Sequence, residues 1–169
     1  MRSDGTRYRP VGGSAILGAL GAEIGTSGTT EVILHQAFIP AGLIKAGDTI
    51  RKQMSLSKSS TVETADYGFR LGAAGTIADT QLQSFQMFNA STRTSGIIAE
   101  WKVLSATTIR RIGNGSQSTP FTGGSSATSP SPATISSLDS NDLYLSASID
   151  MSATSEIVTM HAMTFEWVA

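Results

Sequence analysis

Apolar and polar residues alternate with period two along much of the chain, the repeat of a half-buried β-strand. Residues 31–39 form one candidate, stopped by Pro40, which cannot donate to a ladder. Pro40-Ala41-Gly42 and Ala46-Gly47-Asp48 supply turn chemistry on either side of Leu43-Ile44. From 48 to 57, Ile50, Lys52, Met54 and Leu56 share one face, and three of these four are apolar. Tyr67, Phe69 and Leu71 alternate in 66–71, before a turn at 72–75. In 81–88 the phase is mixed: Leu82 and Phe88 lie on one face, Phe85 and Met87 on the other. A bulge or a two-sided strand would reconcile them. Residues 97–104 and 107–112 are two further pieces, and 142–149 places Leu143, Leu145, Ala147 and Ile149 on one face. The last candidate, 156–168, is apolar on both faces. Ile157, Met163, Phe165 and Trp167 point one way; Val158, Met160, Ala162 and Val168 point the other. That pattern predicts a strand covered on both sides, or one packed on a second chain.

No helical period persists for a helix length. Short strands separated by Gly, Ser and Asn turns predict an all-β fold, a single antiparallel sandwich. About eight strands suit a jelly roll, and seven would suit an immunoglobulin-like sandwich. The expected organisation is an extended amino-terminal arm at 1–24 and a sandwich at 25–169. A long Gly/Ser/Thr/Pro-rich loop at 113–134 interrupts the sandwich, with Phe121 as its one large apolar residue. That loop reads either as a projecting contact anchored by Phe121 or as a surface loop with no partner.

Composition narrows the function. The 169 residues suffice for one domain. Twelve basic and 13 acidic residues leave a net charge of -1, so neither nucleic acid nor a membrane surface is an expected partner. No apolar run is long enough for a spanning helix, and the start lacks the pattern of an export signal. With no Cys, disulfides and thiolate chemistry are excluded. Charged residues make up 15% of the chain, against roughly 25% in an average domain, whereas Ser and Thr number 44.

The chemistry-bearing residues are scattered. His35 and His161 each lie in a strand candidate without ligands at metal spacing. Asp139-Ser140-Asn141-Asp142 lacks the Gly and the distant Glu of a calcium loop and reads as a turn. Asn89 and Asn114 match a glycosylation pattern that needs a secretion context. Glu23, Glu31, Glu63, Glu100, Glu156 and Glu166 could run glycoside hydrolysis only if two met across a cleft. The expectation is no enzyme and no cofactor. Arg2, Arg7 and Arg9 beside Tyr8 are candidates for gripping an acidic partner surface.

Ser3-Asp4-Gly5-Thr6-Arg7-Tyr8-Arg9-Pro10-Val11 resembles a stretch that precedes jelly-roll domains in tailed-phage virion proteins, where an aromatic, often Trp, stands at the place of Tyr8. Ile39-Pro40-Ala41-Gly42 through Lys45-Ala46-Gly47-Asp48-Thr49-Ile50-Arg51 looks like that family's turn into an early long strand. Phe69-Arg70-Leu71-Gly72 resembles its strand end, and Phe165-Glu166-Trp167 its last strand. The resemblance implies a jelly roll that assembles as a homotrimer in the virion. The role would be a head decoration (cement) protein on the major capsid protein, or a fibre tip on host glycan. A start at Met1 without a preceding shaft suits the first role. Arg2, Arg7, Tyr8, Arg9 and Phe121 are then the expected partner contacts. Met160, Met163, Phe165 and Trp167 are the expected trimer packing residues. Tyr144, Phe121 and Trp101 would stack on sugar if the chain is a fibre tip.

Overall fold

The computed structural model describes residues 2–3, 8–9, 14–20, 24–26, 28–59, 64–87, 93–116, 132–152 and 157–169. In chain order the strands are β1 (Arg2–Ser3), β2 (Tyr8–Arg9), β3 (Ser14–Ala19), β4 (Ile24–Thr26), β5 (Val32–Ile39), β6 (Thr49–Lys58) and β7 (Ala65–Gly72). There follow β8 (Thr80–Met87), β9 (Arg93–Ser105), β10 (Thr108–Ser116), β11 (Ala133–Thr134), β12 (Leu143–Met151) and β13 (Val158–Val168). No helix occurs among the described residues.

The pairing is that of a jelly roll. With β10 set aside as a hairpin partner of β9, the other long strands pair β3 with β13, β5 with β12, β6 with β9 and β7 with β8, all antiparallel. First thus meets last, and each inner pair nests inside the one before. Two further pairings, β13 with β6 and β12 with β7, roll this ribbon into two sheets. One sheet runs β11-β10-β9-β6-β13-β3, with β4 also on β13; the other runs β5-β12-β7-β8. An immunoglobulin-like order is excluded by this nesting.

The inner faces follow the expected phase. Ile50, Met54 and Leu56 of β6, Tyr67, Phe69 and Leu71 of β7, and Leu143, Leu145, Ala147 and Ile149 of β12 are all buried. The mixed phase of β8 is a bulge: Phe69 faces Gln83 and Arg70 faces Gln81, so Leu82 is the extra residue and both Leu82 and Gln83 are buried.

β13 corrects the expectation of a two-faced strand. Met160 faces Leu56 and Ala162 faces Ser55, so His161 is an extra residue that switches the phase. Val158 and Met160 before it, and Met163, Phe165 and Trp167 after it, therefore all face the core, each no more than 1% exposed. The side chains expected to pack a trimer, Met160, Met163, Phe165 and Trp167, are enclosed by this chain's own second sheet. None is left to cover a neighbour. A second correction concerns the arm. Ser14–Ala19, inside the expected 1–24 segment, is an edge strand of the sandwich and pairs with residues 164–168 of β13.

Two of the buried polar side chains, Asp48 and Lys52, meet aromatic residues of the core. The Trp167 indole N–H donates to Asp48 Oδ2 at 2.8 Å, and that oxygen also accepts from the Lys45 backbone N–H at 2.8 Å, so the turn at 45–48 is tied to the last strand. Lys52, fully buried, holds its Nζ 2.7 Å from the Phe69 ring centroid and 5.7 Å from that of Trp101. Burial first, and then the positive charge of Arg111, push this lysine well below its ordinary range.

Phe165→Ala is expected to lower the unfolding free energy by about 3–5 kcal/mol, the cost of emptying an aromatic core site. Urea denaturation at two protein concentrations checks this. A loss that disappears at high concentration would return Phe165 to an assembly role.

Candidate functional site

The two outer sheet faces carry the described exposed side chains, and a short amino-terminal ribbon stands apart from both sheets. β1 and β2 pair with each other, Arg2 opposite Arg9 and Ser3 opposite Tyr8, as a two-stranded sheet of their own. Arg7 and Phe121 lie outside the described residues. Of the expected 113–134 loop, 113–116 belong to β10, where they continue the pairing with β9, and 133–134 form β11.

On β7 the inward phase of Phe69 and Leu71 turns Arg70 outward, beside β12. Its guanidinium grips Glu31 through Nη2 at 2.8 and 2.9 Å and through Nε at 3.0 Å, and Nη1 donates to the Asp79 carbonyl at 3.2 Å. Ser148 donates its hydroxyl to the same Glu31 carboxylate. Gly68 lies beneath them: a Cβ there would meet Ser148 Oγ at 2.5 Å and Glu31 Oε1 at 3.1 Å. The absent side chain makes room for a half-buried ion pair.

Farther along the same face, Phe38 of β5 stands opposite Tyr144 of β12 with ring centroids 5.5 Å apart and planes tilted by 56°. Phe38 is 47% exposed. Gln36 donates to Ser146 Oγ at 3.1 Å and to the Gly75 carbonyl at 2.6 Å, which holds the 73–79 loop against the aromatic pair. Tyr144 is therefore placed where a ligand could touch it. Trp101, expected beside it, is instead 1% exposed in the core, because β9 turns it inward opposite Ile50. Phe38 was legible as an outward residue, since Ala37 and Ile39 fix the inward phase of β5.

The other sheet presents charges rather than aromatics. Arg51 Nε binds Glu100 Oε1 at 2.6 Å and Nη1 binds Glu166 Oε2 at 3.1 Å, one residue from each of three adjacent strands. The hydrogen bond that Arg51 donates to Glu100 is the main cause of the raised Arg51 pKa. The two His residues fall apart. His161 is exposed at the β13 bulge, 2.7 Å from Ser57 Oγ. His35 is half-buried between the sheets, with its pKa lowered by burial. No group of three metal-ligating side chains gathers among the described residues.

No protein-family model matches the chain, and no curated protein matches it. Similar solved structures include the Eiger TNF of S. frugiperda, 7% identical over 92% of this chain and 91% of that one, with a TM-score of 0.44. Another is the CBM2 module of the evolved Dit of Lactobacillus casei BL23 phage J-1, 14% identical over 79% and 68%, with a TM-score of 0.35. A third is the VP2 subviral particle of infectious bursal disease virus, 10% identical over 92% and 36%, with a TM-score of 0.32. All three likenesses are loose; the jelly-roll assignment rests on the strand pairing.

The Arg70–Glu31 pair should show a coupling of about 1–2 kcal/mol, between the values for exposed and buried pairs. A double-mutant cycle with Arg70→Ala and Glu31→Gln, read by denaturant unfolding, measures it. Coupling near zero would mean that water already screens the pair.

Proposed function

We propose that the chain is a structural protein of a tailed-phage virion, a decoration or cement protein that binds the major capsid protein as a homotrimer and reinforces the shell through buried contact area. The observation that carries this reading is the ribbon at the amino terminus. Arg2–Ser3 and Tyr8–Arg9 pair with each other and belong to neither sheet of the sandwich, so an Arg-bearing segment is available to grip a neighbour. The order of the virion-protein motifs along the chain supports the same role. So does a core complete within one chain, which leaves the arm and the outer faces as the contact surfaces. Contact of this kind needs no catalytic group and no cofactor. The trimer rests on the resemblance alone, since the last strand spends its apolar side chains internally.

A second reading, a fibre tip that recognises host glycan, is favoured by the Phe38–Tyr144 pair, because aromatic faces pack on sugar rings.

Deleting residues 1–12 should abolish co-sedimentation with undecorated capsids while the melting transition stays in place. Normal binding by the truncated protein would sink the decoration role. On a glycan array, binding that is lost in Phe38→Ala and Tyr144→Ala but kept in the deletion would select the fibre-tip reading instead.

A further inference from the structure

β3 is an edge strand packed over one ionisable side chain, His35. Its backbone pairs with β13 on one side only, and Leu20 N–H closes the pairing on the Met163 carbonyl at 2.8 Å. Toward the second sheet it packs on β5 at a very short distance. A Cβ added to Gly18 would come within 2.8 Å of Ala37 Cβ and 3.3 Å of Ala37 Cα, so only glycine permits this approach. The same added Cβ would lie 3.6 Å from His35 Nε2. His35 is thus wedged beneath β3. Its ring is stacked on Phe165 of β13, with centroids 5.8 Å apart and planes 13° apart. Its Nε2 is buried and has no hydrogen-bond partner among the described residues.

A neutral imidazole tolerates this site; an imidazolium does not, because a buried charge requires a partner. No described carboxylate faces it, and β6 turns Lys52 inward opposite Phe165, the ring on which His35 stacks. β3 and β4 carry no titratable side chain. β13 turns Met163, Phe165 and Trp167 inward, while its Glu166 lies on the opposite face with Arg51. β12 offers Leu145, Ala147 and Ile149, and the nearest carboxylate before β5, Glu31, is held on the outer face by Arg70.

We propose that β3 is an acid-released latch: protonation of His35 frees residues 14–20, and with them the arm they carry, from an otherwise intact sandwich. The sign follows from linkage. Burial depresses the folded-state pKa of His35 below 6.5. The released state therefore takes up the proton first, and the latch weakens as pH falls through 6.5 toward the depressed value. The latch depends on the fold alone, whatever the arm grips.

Hydrogen exchange of the full chain, read by mass spectrometry at about pH 7.5 and about pH 5 and corrected for intrinsic exchange, tests this across the range in which histidine titrates. Protection of the 14–20 amides should fall about tenfold for each unit by which His35 is depressed. The 49–58 amides should keep theirs. His35→Gln and His35→Phe should abolish the fall, the second while keeping a ring on Phe165, and His161→Gln should leave it unchanged. Equal protection of 14–20 at both pH values overturns the latch, as does an undiminished fall in both His35 variants or its loss in His161→Gln. Should the His35 variants not fold, an NMR titration of the wild-type imidazole decides. A midpoint below 6.5 that coincides with loss of the Leu20 amide supports the latch, and a midpoint at or above 6.5 overturns it.

Discussion

The architecture depends on the phase of β13. This strand lies between β6 on one side and β3 with β4 on the other, so it is the seam through which the ends of the chain join the middle. A period-two strand can give its apolar side chains to one face only while its register is unbroken. The extra residue at His161 breaks the register once. Val158 and Met160 on one side of the break, and Met163, Phe165 and Trp167 on the other, therefore enter the same core. Without the bulge, three of these five would face water or require a second chain. With it, one chain closes its own core, and its outer surfaces remain free to be polar.

That closure explains the distribution of charge. Several of the charged side chains hold strands and turns together. Asp48 ties a turn to the last strand through Trp167, Arg51 joins three strands, and Arg70 with Glu31 spans the second sheet over the space left by Gly68. Lys52 lies on the inner face between Ile50 and Met54, where its Nζ sits against the rings of Phe69 and Trp101. The surfaces then separate by character. One outer face carries an aromatic pair, the other a charge triad, and among the described residues the strands of the amino-terminal ribbon pair with each other and with neither sheet.

Much of the fold was legible because alternation is local. The inward phases of β6, β7 and β12 follow directly from Ile50, Phe69 and Leu143 and their neighbours at every second position. Even Lys52 was on the correct face. What misled was the same rule applied across a bulge. In β13 alternation predicts two apolar faces, and no residue type marks His161 as the extra one. The candidate surfaces were less legible. Phe38 and Tyr144 share no local window of the sequence, and only the pairing of β5 with β12 makes them neighbours. Trp101 appeared available for ligand because composition does not report which way a strand turns.

By itself the sequence determined the class: an all-β chain with many short strands, turns at Pro, Gly and Asn, no thiol chemistry and almost no net charge. Those properties depend on residue type and on neighbours one or two positions away. Only the tertiary structure decided the nesting of first strand with last, the internal use of the β13 side chains, and the incorporation of Ser14–Ala19 as an edge strand. The reason is that long-range register, not local preference, chooses the partner of each strand. A single inserted residue reverses the side to which every following side chain points.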